Sequence, residues 1–112
     1  MTICSNNQTE IIGIVKDKAK FPLGMVVSTR GVSLKLPPDK ISEILNKHIT
    51  GDWGQLNKED RQLNEFALEN GERIFSSYPL STTIKKECGE DKVWVITEYD
   101  RSLTTILFPS EY

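Results

Sequence analysis

The chain has 112 residues, with 14 Lys and Arg against 16 Asp and Glu, and 38% of its residues are hydrophobic. This length suits one domain with a single core, and the composition excludes disordered and fibrous classes. No apolar run approaches the ~20 residues that span a bilayer, and the first residues lack the layout of a signal peptide. We therefore expect a cytoplasmic protein without a membrane segment. The net charge of −2 gives no general attraction to phosphate, so any RNA contact must be local.

Two cysteines and a single histidine leave little scope for metal or redox chemistry. Cys4 and Cys88 are far apart in the sequence, so we expect reduced thiols and no disulfide framework. With one histidine and no close pair of cysteines, we expect neither a metal site nor a bound cofactor.

The first third of the chain predicts a tail and two strands. Residues 1–10 are polar and have no hydrophobic period, which is typical of a flexible tail, so the folded domain is expected to span residues 11–112. The apolar run at 11–15 is consistent with an edge strand. Residues 24–30 predict a second strand that ends at Gly31.

Two helices are predicted in the middle of the chain. In the first, over 39–49, apolar residues and one histidine recur at helical spacing on one face: Ile41, Ile44, Leu45, His48 and Ile49. Pro38 suits its first turn, and Gly51 is placed to end it. The second helix begins after Asn57, a good N-cap residue, and ends before Gly71. Its predicted face consists of Leu63, Phe66, Ala67 and Asn70.

From residue 72 onward the hydrophobic period changes to two, which predicts strands. The segments are, in order, a strand, a polar connection and the two strands of a hairpin, at 73–78, 80–91, 92–98 and 103–108. In the hairpin Thr97 faces Thr104 and Trp94 faces Leu107, and both sides are apolar. Helices can cover only one side, so the other needs the N-terminal strands or a second subunit. The expected fold class is α+β, with two short helices packed on an antiparallel sheet that ends in a C-terminal β-hairpin.

His48 is the one candidate for acid–base chemistry near neutral pH. It lies near the C-terminal end of the first helix, where the helix dipole favours the imidazolium form. The alternative interpretation is a half-buried histidine that caps a backbone carbonyl.

Two turns contain further candidate residues. The loop GDWG presents Asp52 and Trp53, which could stack on a base or anchor a partner, or fill the gap between the helices. At the hairpin turn, an arginine beside hydroxyl and carboxylate groups suits a phosphate or carboxylate ligand, or forms only a surface ion pair. The residues of this turn are Glu98, Asp100, Arg101, Ser102, Thr104 and Thr105. We expect the loop and the turn to share one pocket.

Three segments, HITGDWGQL, GERIFSSY and VWVITEYDRSLTTILFPSEY, occur in this order in the chain. Together they resemble a family of small bacterial proteins found on plasmids and phages and usually called plasmid-related proteins. The resemblance covers residues 23–112. It implies an accessory protein of a mobile element and no particular activity.

The order of helices and sheet, the helical histidine and the run Arg-Ser-x-Thr-Thr near the C-terminus are similar to the barnase, EndoU, colicin and RelE-like ribonuclease superfamily. Its members commonly cleave RNA without metal: a base takes the ribose 2′-OH proton, a cation steadies the phosphorane, and an acid protonates the leaving oxygen. The resemblance implies His48 as acid or base and Arg101 as phosphate clamp. Thr104 or Thr105 would supply the hydroxyl contact.

Two functions follow as expectations. The first is an accessory protein that acts by protein interaction on a host or defence factor, with a homodimer through the sheet as a further expectation. The second is a metal-independent endoribonuclease that uses His48 and Arg101. An open cleft containing both side chains would favour the enzyme, whereas an exposed apolar patch would favour the interaction.

Overall fold

The computed structural model describes residues 19–112 and the backbone of Thr2 and Ile3. The strands in this part of the chain are β1 (Thr2–Ile3), β2 (Met25–Ser28), β3 (Ile74–Pro79), β4 (Lys92–Thr97) and β5 (Leu103–Leu107). The helices are α1 (Arg30–Lys35), α2 (Pro38–Ile49), α3 (Lys58–Asn70) and α4 (Thr82–Cys88), followed by a 3₁₀ turn at Pro109–Glu111. The strand predicted over 11–15 lies outside the described residues. So does the predicted tail, apart from Thr2 and Ile3, which pair with β2.

The strands form one sheet in the order β1-β2-β5-β4-β3. Neighbouring strands are antiparallel except β2 and β5, which run parallel with Val27 opposite Thr105. The α+β fold class is confirmed. The sheet is mixed rather than purely antiparallel, because β2 lies beside the last strand and runs in the same direction.

The C-terminal hairpin has the predicted register, with Trp94 opposite Leu107 and Thr97 opposite Thr104. Side-chain alternation along its strands separates two faces of the sheet. The inner face packs against the helical layer and is completely buried at Val93, Val95, Thr97, Thr104 and Ile106. The outer face lies on the opposite side and includes Trp94, Ile96, Thr105 and Leu107.

Two short helices were not predicted. Thr29 caps α1 and Ser81 caps α4, each accepting a hydrogen bond from the backbone N–H three residues later. Gly31, predicted to end a strand, lies within α1, and α4 occupies most of the predicted polar connection at 80–91. Helices of six and seven residues span too few turns for a hydrophobic period to show.

The two predicted helices are confirmed together with their end signals. Pro38 is the first residue of α2, and that helix buries its predicted face against the sheet. The Asn57 side chain accepts a hydrogen bond from the Asp60 N–H at 2.8 Å, and Gly71 ends α3 at φ 65°. A left-handed residue at this position favours glycine.

The buried face of α3 differs from the predicted one. Of the predicted residues, Ala67 is buried as expected, whereas Leu63 is 64% exposed and Phe66 is 58% exposed; Asn64, which was not predicted, is buried. Leu63 and Phe66 are therefore turned out of the core, because the side chain that attaches α3 to the sheet is the amide of Asn64, described below.

The C-terminal turn is attached to the start of α1 by one carboxylate. Glu111 accepts hydrogen bonds from the Thr29 hydroxyl at 2.6 Å, from the Phe108 N–H at 3.0 Å and from the Gly31 N–H at 3.2 Å. A β-carbon at Gly31 would lie 2.5 Å from the Glu111 carboxylate, so an alanine at this position would displace the end of the Glu111 side chain from its hydrogen bond with the backbone N–H of residue 31. Burial alone would raise the pKa of Glu111, but these hydrogen bonds outweigh it and hold the pKa below its usual range.

Candidate functional site

His48 lies on the buried face of α2 and is completely inaccessible to solvent. Its Nδ1 atom is 2.5 Å from the Ser76 hydroxyl on β3, and its Nε2 atom is 2.9 Å from the Thr97 hydroxyl on β4. Both ring nitrogens therefore have partners within the inner face of the sheet. The Phe21 ring packs edge-on against the imidazole at 5.2 Å between centroids and completes its enclosure.

The direction of each hydrogen bond in this cluster follows from the last bond of the chain, between Thr104 and the Leu23 carbonyl. Thr104 donates its hydroxyl proton to the Leu23 carbonyl at 2.7 Å, and a carbonyl can only accept. Thr104 must then accept the proton of Thr97, which lies 2.7 Å away. Thr97 in turn accepts from His48 Nε2–H, which leaves Nδ1 as the acceptor for the Ser76 hydroxyl. The network is fully satisfied only by a neutral imidazole protonated at Nε2.

The surroundings of His48 also oppose a positive charge. Burial, and after it the positive charge of Arg101, lower the pKa of His48 to about 3. A histidine without solvent contact and with both nitrogens bonded cannot exchange a proton with a substrate near neutral pH. The position is therefore unfavourable for the acid or base role predicted for His48. The capping alternative is also replaced, because the partners of His48 are side-chain hydroxyls.

The side chain of Arg101 forms hydrogen bonds within the fold. Arg101 is the non-glycine residue with a left-handed backbone in the described chain, at φ 61°. Its guanidinium donates to the carbonyl oxygens of Ala67 at 2.8 Å, Glu72 at 2.5 Å and Glu98 at 3.2 Å. It also lies 5.7 Å from the centre of the Phe21 ring. Arg101 thus caps the last turn of α3 and joins it to the hairpin, so the donors predicted to clamp a phosphate are engaged by backbone carbonyls.

The predicted catalytic set is divided between the two faces of the sheet. Thr104 lies on the inner face in the His48 network, whereas its neighbour Thr105 pairs with Ile96 on the outer face. Thr105 and His48 are therefore separated by the thickness of the sheet. The structure does not bring His48, Arg101 and Thr105 into one open cleft, and the arrangement required by the ribonuclease resemblance is not formed.

The loop GDWG covers the free edge of β3. The Ser77 N–H donates to the Trp53 carbonyl at 3.1 Å, and the Gln55 N–H donates to the Ser77 carbonyl at 2.7 Å. The Tyr78 hydroxyl donates to the Asp52 carbonyl at 2.7 Å. A β-carbon at Gly54 would lie 2.0 Å from the Ser77 carbonyl oxygen, so the approach requires glycine at this position.

Trp53 is only 8% exposed and fills the core beneath this loop, which is the structural alternative stated for it above. Its ring is not available to stack on a base. The loop forms its hydrogen bonds with Ser77 of β3. The hairpin turn follows Thr97, which pairs with Ile74 at the start of β3, three residues before Ser77. Three residues of strand span about 10 Å. The loop and the turn therefore do not form the shared pocket that was expected.

Asn64 has a structural role at the edge of β3 that no pattern in the sequence indicated. Its amide nitrogen donates to the Phe75 carbonyl at 2.7 Å, and its amide oxygen accepts from the Phe75 N–H at 3.1 Å. The side chain thus takes the place that a neighbouring strand would have at this residue. Together with the loop GDWG it blocks the edge of β3 against pairing with another chain.

The remaining predicted residues stabilise the hairpin turn. Asp100 accepts hydrogen bonds from the Ser102 hydroxyl at 2.6 Å and the Ser102 N–H at 3.0 Å, and these bonds hold the pKa of Asp100 below its usual range. Glu98 forms an ion pair with Arg73 at 3.3 Å on the outer face. Glu98 and Asp100 therefore have local structural partners. The surface ion-pair alternative had joined Arg101 to Glu98 or Asp100, whereas the partner of Glu98 is Arg73 and the Arg101 guanidinium donates to backbone carbonyls.

An aromatic groove lies on the outer face, beside that ion pair. It has a volume of about 310 Å³ and is lined by Arg73, Phe75, Trp94, Ile96 and Tyr112. The rings of Phe75 and Tyr112 both meet Trp94 edge-on, at 5.1 and 5.8 Å between centroids. Arg73 donates to the Tyr112 hydroxyl at 3.3 Å. Sequence alternation indicated that Trp94 and Ile96 share an apolar side, but Phe75, Arg73 and Tyr112 were not predicted as site residues.

Among the described residues, no group of three or more His, Cys, Asp or Glu side chains is arranged to hold a metal ion. No helix within residues 19–112 is long and apolar enough to cross a membrane. Comparison with protein-family models, curated proteins and solved structures gives no match to the chain. Function must therefore be argued from the side chains.

Proposed function

We propose that the protein binds another protein through the aromatic groove, as a soluble, cytoplasmic accessory protein of a plasmid or phage. The observation that supports the binding role is the groove on the outer face of the sheet. His48 and Arg101, predicted as the acid or base and the phosphate clamp, have structural partners, whereas the rings lining this groove are held at an accessible surface. The mobile-element part of the proposal rests on the sequence resemblance alone.

The composition of the groove is typical of a protein-binding surface. Tryptophan, tyrosine and arginine are the residues most enriched among those that dominate binding energy at protein interfaces. Here Trp94, Tyr112 and Arg73 lie side by side in one concave surface. A volume of about 310 Å³ is at the small end of binding pockets, which suits one bulky side chain rather than a large cofactor.

The chemistry of the rim indicates what the partner presents. The ring faces and Ile96 offer apolar contact, while Arg73 and Glu98 place one charge of each sign at one end. Arg73 is half-exposed, and its guanidinium has five donors in a fixed fork. The proposed ligand is therefore a protein segment with an aromatic or branched aliphatic side chain next to a carbonyl or carboxylate oxygen.

A displayed library of random peptides tests this proposal. We expect the wild-type protein to enrich peptides that share one aromatic or branched aliphatic residue. Trp94→Ala should weaken their binding at least about 10-fold, the effect of losing a central anchor. Tyr99→Ala is the matched control, because Tyr99 is 65% exposed but lies at the hairpin turn outside the groove. It should leave binding within about twofold, as at a surface position outside an interface.

Two results would overturn the proposal. One is a library that yields no peptides with a shared anchor, and the other is binding that Trp94→Ala and Tyr99→Ala affect equally. A wild-type dimer that Trp94→Ala dissociates would instead assign this face to the homodimer through the sheet that was the alternative expectation.

A further inference from the structure

The exposed side of α3 has a stripe of residues at helical spacing. We call it the α3 stripe: Glu59, Leu63, Phe66 and Asn70, separated by four, three and four positions. Leu63 is 64% exposed and Phe66 is 58% exposed, although both are large and apolar. Asn64 and Ala67, which attach α3 to the sheet, lie about 100° around the helix axis from the stripe, which is itself open to solvent.

We propose that two copies of this protein associate through the α3 stripe, with their α3 helices antiparallel about a two-fold axis. This surface is distinct from the aromatic groove. A two-fold interface requires a patch that is complementary to itself. Placing the axis midway between Leu63 and Phe66 brings Leu63 of each copy onto Phe66 of the other. The same axis brings Glu59 next to the amide of Asn70, which donates one N–H to the Phe66 carbonyl and keeps a second N–H as a donor for a carboxylate.

The charges beside the stripe fit the same pairing. At 100° per residue, one flank of the stripe consists of Lys58, Gln62, Glu65 and Glu69, of which Glu65 is turned furthest from the stripe, and all four are exposed. In an antiparallel pair, flanks of the same kind meet. Along the axis, Lys58 lies about 10 Å from the midpoint and Glu69 about 7 Å from it on the other side, at a rise of about 1.5 Å per residue. Lys58 of each copy therefore lies within reach of Glu69 of the other.

The size of the surface predicts a weak dimer. A helix of 13 residues is about 20 Å long, and one such face buries less than the ~800 Å² per partner of a standard interface. We therefore expect a concentration-dependent equilibrium between monomer and dimer, with a dissociation constant in the micromolar range or above.

Sedimentation equilibrium of the full chain tests the apolar part of the interface. Protein concentrations up to about 1 mM cover the range in which weak complexes form. Phe66→Ala should raise the dissociation constant at least about 10-fold, as expected for a central aromatic anchor. Leu34→Ala is the control, since Leu34 is 70% exposed on α1, and it should leave association unchanged. A wild-type protein that stays monomeric throughout, or a dimer that Phe66→Ala does not weaken, would overturn the proposal.

A charge exchange tests the antiparallel geometry itself. Lys58→Glu should weaken the dimer, and adding Glu69→Lys in the same chain should restore it, because the ion pairs re-form with their signs reversed. Both changes favour the dipole of α3, with the acid at its N-terminus and the base at its C-terminus, so loss of helix cannot explain a weaker dimer. Failure of the double variant to recover would contradict this arrangement. Trp94→Ala should dimerise as the wild type does, which separates this proposal from the groove.

Discussion

The buried His48 network predicts a specific dependence of stability on pH. The pKa of His48 is about 3 in the folded chain, whereas an unfolded histidine titrates near 6.5. Between these values the unfolded chain binds a proton that the folded chain does not. The free energy of unfolding therefore falls as the pH decreases below about 6.5, and this contribution is fully present only above that pH.

The magnitude follows from these two pKa values. Lowering the pH from 7 to 5 should reduce the free energy of unfolding by about 2 kcal/mol through His48 alone, since each pH unit below the unfolded pKa reduces it by about 1.4 kcal/mol. The variant His48→Gln removes the titrating group and keeps an amide that can donate and accept. It should be less stable than the wild type at pH 7 by about 1–3 kcal/mol, because two buried hydroxyls lose well-placed partners.

Urea denaturation of both proteins at pH 7 and pH 5 measures the difference. Carboxylates titrate in the same range, but they are shared by both proteins and cancel in the comparison. We expect the wild type to lose about 2 kcal/mol more than His48→Gln between the two pH values. Equal losses would show that His48 titrates alike in the folded and unfolded chains, and would refute the neutral, sealed imidazole.

Three further predictions concern the contacts that hold the fold, each read out by urea denaturation. Gly54→Ala should lower the free energy of unfolding by about 3 kcal/mol or more, because the added methyl group meets a β3 carbonyl. Gly71→Ala has a similar backbone angle but open space around it, so it should lower the free energy of unfolding by only about 1 kcal/mol. Asn64→Ala should lower the free energy of unfolding by about 2 kcal/mol, and opening the β3 edge should increase aggregation, measured by light scattering. Gln62→Ala, at an exposed position on the same helix, should have neither effect. Glu111→Gln should cost about 1 kcal/mol at pH 7, and this difference should shrink as the pH falls and the wild-type carboxylate becomes protonated.

The parts of the fold that local signals determine were predictable from the sequence. The hairpin register follows from alternation and loop length, and Trp94 lies opposite Leu107 as expected. The start of α3 at Asn57 and its end at Gly71 follow from caps that are contained in neighbouring residues. The parallel position of β2 beside β5 joins segments nearly 80 residues apart, and no local pattern encodes it.

The orientation of α3 shows why hydrophobic spacing was insufficient. Leu63 and Phe66 have the spacing of a core face, but the unpaired backbone of Phe75 at a sheet edge requires a donor and an acceptor. The Asn64 amide supplies both, and attaching it there turns Leu63 and Phe66 outward. Satisfying backbone hydrogen bonds at the edge thus decides which side of the helix is buried.

The candidate site was predictable only in part. His48 was recognised as part of an apolar stripe, but its chemistry depends on hydroxyls from three strands: Ser76, Thr97 and Thr104. Their inner-face positions could be found by counting alternate residues along the strands, which would have indicated a buried polar cluster. The groove was harder to predict from the sequence, because the C-terminal 3₁₀ turn is what brings Tyr112 into contact with Trp94.

We propose that the outer face binds a partner while the polar cluster on the inner face maintains the fold. Titration of one enriched peptide against Trp94→Ala and His48→Gln, both confirmed as folded by circular dichroism, tests the two parts together. We predict that Trp94→Ala loses at least about 10-fold in affinity and that His48→Gln binds as the wild type does. Loss of binding in His48→Gln with retention in Trp94→Ala would contradict the account.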